Sequence, residues 1–137
     1  MSYEGDGDTM ITMAIRTTAK TCVVVGGGAV AERRALLFLG DGAKVTIISP
    51  TVTDRLAELA KAGQLTWEQA EADAHKPVKA DFTVVATDSP DFNAAYAKAA
   101  RALGSLVNRA DDRRDCDFTF PASVAVGDLV FAILTGN

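Results

Sequence analysis

The stretch Thr21-Cys22-Val23-Val24-Val25-Gly26-Gly27-Gly28-Ala29-Val30-Ala31 decides the fold. Its first five residues are apolar and β-branched without alternation. That predicts a strand covered on both faces, as in a parallel sheet. The run stops at three glycines, and a helical pattern follows from Ala29 to Leu39. Val30, Leu36, Leu37 and Leu39 are expected on its buried side, with Glu32, Arg33 and Arg34 elsewhere. Gly26 to Ala31 fits the spacing G-x-G-x-x-A. In that pattern Gly26 permits a tight exit from the strand. Gly28 lets a pyrophosphate approach the backbone with no Cβ in the way, and Ala31 lets the helix lie close to the strand. The free N–H groups at the helix start, and its dipole, favour bound phosphate. Such a glycine pattern is weak evidence alone; the strand before it and the helix after it supply the required context.

Working outward, strand and helix alternate. Strands are expected over Lys44–Ser49, Leu65–Glu68, Asp81–Thr87 and Ser105–Asn108. Helices are expected over Thr53–Ala62, capped by Thr53 or Asp54 and closed by Gly63, and over Asp91–Leu103. The second of these carries Phe92, Ala95, Tyr96, Ala99 and Leu103 at helical spacing. Residues 69–80 read as loop, and Asp111–Asp117 as a charged loop. The style then changes. Phe118, Phe120, Val124 and Val126, then Leu129–Leu134, predict two strands joined at Gly127-Asp128, with Pro121 marking an edge position or a bulge. The predicted fold class is α/β: a Rossmann-like doubly wound parallel sheet with a C-terminal β-hairpin. Residues 20–137 form one nucleotide-binding domain. Residues 1–19 form an N-terminal extension whose acidic, Gly-rich start (Met1–Asp8) is expected to be disordered.

Composition excludes several classes. Eighteen acidic residues against fourteen basic ones leave a formal net charge of −4, which argues against a nucleic-acid partner. No apolar run is long enough for a membrane span, and the N-terminus lacks the pattern of a signal peptide. A cytoplasmic protein is expected. Cys22 and Cys116 have no disulfide or metal spacing and read as free thiols. His75, the single histidine, makes no metal site.

Ligands of such sheets bind beyond the carboxyl ends of the strands. The informative places are therefore Gly26–Val30, Ser49–Thr51, Thr87–Ser89 and Asn108–Asp112. An acidic residue usually ends the second strand and holds the adenosine ribose. Ile48-Ser49-Pro50-Thr51 stands there instead, with no arginine for a 2′-phosphate. NAD is favoured over NADP, and the glycines alone do not exclude flavin. Gly26, Gly28, Ser49, Thr87 and Asp88 are candidate cofactor residues, although Thr87-Asp88-Ser89 could equally cap the following helix. Asp111, just beyond a short buried strand, could accept a proton or orient an N–H group. Asn108 could bond substrate or shape the loop.

In order along the chain, Cys22–Arg33, Gly42–Pro50, Val84–Asp88, Leu106–Asn108 with Asp111, and Cys116–Phe118 leading to Phe120-Pro121-Ala122 resemble the precorrin-2 dehydrogenases, the NAD-binding N-terminal module of siroheme synthases. The resemblance runs from about Lys20 to Gly136. It accounts for the missing acidic residue, because that family ends its second strand in a similar Ser/Ala-Pro turn. It implies hydride transfer from precorrin-2 to NAD, giving sirohydrochlorin, with a proton passing to a base or to solvent. In some relatives the same site also inserts ferrous iron. Asp111 matches the family's catalytic aspartate, and Ala29, Val30, Pro50 and Thr51 match positions lining the cofactor. The substrate carries many carboxylates, which Arg109, Arg113 and Arg114 could pair. Arg109 departs from the family, which usually has an apolar residue there. The family also continues past Thr135-Gly136 into a helical region used for dimerisation, so the chain reads as the NAD-binding part of such an enzyme, a homodimer at full length. The rival reading is a regulatory module that senses nucleotide without consuming it. Such sensors commonly keep the acidic residue that this chain lacks.

Overall fold

The computed structural model describes residues 10–133. In chain order the elements are β1 (Thr21–Val25), α1 (Ala29–Gly40), β2 (Lys44–Ile48), α2 (Asp54–Lys61), β3 (Thr66–Glu68), β4 (Phe82–Val85), α3 (Pro90–Ala102), β5 (Leu106–Arg109), a 3-10 turn (Arg113–Asp115), β6 (Ala122–Val126) and β7 (Leu129–Ile133). The expected disorder of Met1–Asp8, the hairpin's end at Leu134 and the Thr135-Gly136 match lie outside the described residues. The chain forms two compact units: Thr17–Thr119, and a second made, among described residues, of 10–16 and 120–133.

The larger unit holds one five-stranded sheet in the order β3-β2-β1-β4-β5, with every neighbouring pair parallel. The expected doubly wound α/β sheet is present. Its strand order reverses at β1, which lies between β2 and β4. Register aligns Ile48, Val25, Val85 and Arg109 in one row across four strands. The connections that follow them, starting at Ser49, Gly26, Ala86 and Ala110, therefore emerge side by side. Backbone bonds tie this row together: Gly26 N–H donates to Ile48 O (3.0 Å), Ala86 N–H to Val25 O (2.8 Å) and Ala110 N–H to Val85 O (2.9 Å).

The helices bury different faces from those expected. In α1 the buried residues are Ala31, Ala35 and Phe38, while Val30 and Leu37 are exposed. Alanines four residues apart let the helix backbone lie close to the strands, and only at the far end does a large ring insert. There Phe38 meets Phe82 with ring centres 5.4 Å apart. Phe118 packs edge-on against both rings, so it belongs to this core and not to a hairpin strand. In α3 the buried residues are Asn93, Tyr96, Ala97 and Ala100. Of the expected stripe only Tyr96 is fully buried, and Leu103 is exposed. The Tyr96 hydroxyl accepts from Val78 N–H (3.1 Å), fixing the long loop before β4. Val23, Val25, Val85 and Val107 pack with Tyr96, Ala97 and Ala100 of α3. Phe82, three residues before Val85 on β4, meets α1 instead. Strand alternation thus deals residues to opposite helices.

In the smaller unit β6 and β7 pair antiparallel, with Val126 opposite Leu129. Gly127 takes the positive φ (58°) that this tight turn requires. Every residue of both strands is exposed. Pro121 precedes β6 and lies outside it, so no ladder bond is interrupted.

Candidate functional site

The site begins at the three glycines, each of which lacks a side chain for a different reason. Gly26 has φ 124°, and a Cβ there would stand 2.4 Å from the Ala86 carbonyl oxygen. A Cβ on Gly27 would stand 2.0 Å from the Thr51 carbonyl oxygen and 2.9 Å from Ser49 Oγ. Gly27 O also accepts from Thr53 N–H (2.9 Å), holding the turns after β1 and β2 together. Gly28 is the extended N-cap of α1 and gives no side-chain cap bond. A Cβ there would meet no protein atom within 4 Å. The close approach read into the motif is thus divided. Gly27 makes room for protein, and Gly28 faces open space before a helix N-terminus. Three consecutive glycines were the available sign that the middle one is also required.

The turn after β2 is braced from several sides. Ser49 is buried, and its hydroxyl donates to Thr51 O (2.6 Å). Ser49 O accepts from Trp67 Nε1–H (2.9 Å), so Trp67 also holds this turn. Thr53 caps α2 by accepting from Leu56 N–H (3.3 Å) and donates to Glu32 Oε1 in the first turn of α1 (2.7 Å). Gly28, Ala29, Val30, Pro50 and Thr51 are exposed around this opening.

After β4, Thr87 Oγ1 donates to Asn93 Oδ1 and accepts from Ser89 N–H (3.3 Å). Ser89, not Thr87, caps α3 through Phe92 N–H (3.3 Å). Internal partners thus engage the Thr87 hydroxyl, while Asp88 beside it is exposed. Asn93 also donates to Thr87 O (3.0 Å) and adds to what holds the Asp111 carboxyl low. The sequence reading missed Asn93. Its signal was a polar residue in register with Ala97 and Ala100, at the i, i+4, i+7 spacing of one helix face.

After β5 stands Asp111. Arg109 grips it with a fork, Nε to Oδ1 (3.1 Å) and Nη2 to Oδ2 (2.8 Å). That bond, with Asn93 adding to it, holds the Asp111 carboxyl below its ordinary range, against partial burial. Arg109 was expected to meet substrate carboxylates. It is only 8% exposed, and its guanidinium is shared among Asp111, Asp112 and Asp115. Asn108, read as bonding substrate or shaping the loop, is buried. It accepts from Arg34 Nη1–H (2.6 Å) and donates to Phe118 O (3.0 Å). Successive residues of a strand point to opposite faces, so Asn108 meets α1 and Arg109 meets the start of α3. Arg114 is exposed and Arg113 half-buried beyond them. Burial pushes the Cys22 thiol up to about 12 and raises that of Cys116, which favours the protonated thiol in both. Among the described residues no cluster of metal-binding side chains occurs, and no helix is long and apolar enough to cross a membrane.

An open glycine turn at the N-terminus of α1, on the strand-end edge beside the topological switch, defines a dinucleotide-binding domain of the Rossmann-like class. The profile of the family described as "Putative NAD(P)-binding" matches residues 13–122, and the chain belongs to that family. The resemblance to siroheme synthases is borne out. The chain is 36% identical over 122 residues to siroheme synthase 1 of Aeromonas salmonicida (strain A449), covering 89% of this chain and 26% of that protein. It is 39% identical over 116 residues to siroheme synthase 1 of Pectobacterium atrosepticum, covering 84% and 24%. Among solved structures, SirC, a precorrin-2 dehydrogenase, superposes with a TM-score of 0.78 at 31% identity, covering 92% of this chain and 62% of that one. The chain thus spans about a quarter of the length of these curated relatives.

Proposed function

We propose that the chain binds NAD along the row of strand ends and oxidises precorrin-2 to sirohydrochlorin. The observation that carries this reading is one shared edge. The open face of Gly28 and the carboxylate of Asp111 both follow strand ends aligned through Val25, Val85 and Arg109. The residues fit a dinucleotide. The first-turn N–H groups of α1, lacking a side-chain cap, would receive the pyrophosphate at Gly28, Ala29 and Val30. Pro50 and Thr51 would border the adenosine, and Thr87 (through its backbone) and Asp88 the nicotinamide half. Bound NAD supplies the hydride acceptor. Asp111 would orient a pyrrole N–H of the substrate, and Arg113 and Arg114 would pair its carboxylates. The resemblance also supports a cytoplasmic homodimer, and sedimentation of the protein with the family's helical region would check the dimer.

The test is an anaerobic assay with precorrin-2 and NAD, with NADP and no-cofactor controls. NADH formation with a matching change in the tetrapyrrole spectrum is expected. NAD binding without NADH would refute the dehydrogenase reading for this chain and favour a nucleotide-sensing module. Asp111→Ala should lower turnover by ~10²-fold or more while leaving the NAD Kd unchanged; normal turnover would remove Asp111 from the chemistry.

A further inference from the structure

We propose that Arg109 is a positioning residue that fixes the direction of the Asp111 carboxylate, making it a stationary hydrogen-bond acceptor for substrate and not a proton carrier. This rests on the reading of Asp111 as the carboxylate that faces substrate. The geometry is a two-point fork from a nearly buried guanidinium, at 3.1 and 2.8 Å. Such a fork fixes a carboxylate's direction as well as its charge. Arg109 is itself held. Its Nη1 reaches Asp115 Oδ2 (2.8 Å) and lies 3.7 Å from Asp112 Oδ2, and its Nη2 donates to Pro90 O (3.4 Å) at the start of α3. Asp115 is anchored in turn by Arg101 Nη1 of α3 (2.5 Å), which also reaches Asp117 through Nε (2.9 Å).

The groups facing Asp111 can be named element by element. Arg109 comes from β5 and the uncharged amide of Asn93 from α3. Asp112 and Asp115, from the following turn, compete for the same guanidinium. A general base works best with a pKa near the working pH, and an arginine fork drives a carboxylate the other way. The oxidation balances without a protein base, since the hydride passes to NAD and the proton to water.

The test is a carboxyl-carbon NMR titration of the whole chain, with the Asp111 signal assigned through Asp111→Asn. The wild-type midpoint is expected below those of exposed aspartates, and in Arg109→Val it should move upward. Arg109→Lys keeps the charge but not the fork. Its midpoint should stay low while kcat falls and the NAD Kd is unchanged. The acid limb of the kcat/KM profile should move to higher pH in Arg109→Val. An ordinary wild-type midpoint, an unmoved midpoint in Arg109→Val, or full kcat in Arg109→Lys would overturn the proposal. Should Arg109→Val fail to fold by its amide spectrum, the wild-type and lysine measurements decide. A wild-type chain without turnover would sink the dehydrogenase reading instead, and the titration would still decide the hold of Arg109 on Asp111.

Discussion

Placing a methyl group on Gly27 and a larger side chain on Gly28 tests two separate demands on neighbouring residues. At Gly27 the added carbon collides with the Thr51 carbonyl. Gly27→Ala should therefore cost about 1–3 kcal/mol of stability, as overpacking does, read in urea melts. At Gly28 an added Cβ meets no protein atom within 4 Å. Gly28→Val should fold with nearly wild-type stability and bind NAD more than ~10-fold more weakly in calorimetric titration, a loss of about 1.4 kcal/mol or more. Unchanged affinity would move the pyrophosphate elsewhere. The glycine turn was legible in the sequence because its demands are local: a strand, a turn and the start of a helix lie within eleven residues. The fork on Asp111 spans only two residues but was not legible. Whether Arg109 turns outward to a ligand or inward to Asp111 is decided by Asp115 and the Pro90 carbonyl, which only the folded sheet brings near.

Among the elements, strands were easier to read than the faces of helices. The strand runs are short, apolar and bounded by turn residues, so β1, β2, β4 and β5 fall where the pattern placed them. In α1 Val30 and Leu37, and at the end of α3 Leu103, pointed to the wrong face, because alanines govern how closely a helix approaches a sheet. The same stripe carries Asn93, whose amide braces the turn after β4 through Thr87. Asn93→Leu keeps similar bulk but leaves the Thr87 hydroxyl and carbonyl without their partner. It should cost about 1–3 kcal/mol. Lower NAD affinity should accompany that loss, because the turn carrying Asp88 loses its brace; a variant of full stability would reduce Asn93 to filler.

For the molecule as a whole, acid is the condition that dissects its ion pairs. Arg109 holds the Asp111 carboxyl low. Burial works against Asp115, but hydrogen bonds from Arg109 and Arg101 still bring it below the ordinary value. A carboxylate with a depressed folded pKa contributes stability above its unfolded value, about 4, and loses it as pH falls through the folded value. Thermal midpoints should thus be level near neutrality and fall below about pH 4. Arg101→Ala should lower the midpoint at pH 7, and its difference from wild type should shrink toward pH 2. A difference that is constant with pH would assign Arg101 to packing.

The central place of β1 carries a consequence for how the protein opens. Its amides are bonded into a strand that has a neighbour on each side, β2 and β4. Those of Val23 to Val25 can trade hydrogen for deuterium only when the sheet itself comes apart, so their exchange rate measures global opening. The amides of β6 and β7 belong to a two-stranded ribbon exposed along its length, and they should exchange through local fraying orders of magnitude sooner. A single deuterium time course would therefore contain two clocks, and only the slow one should lengthen when NAD is added.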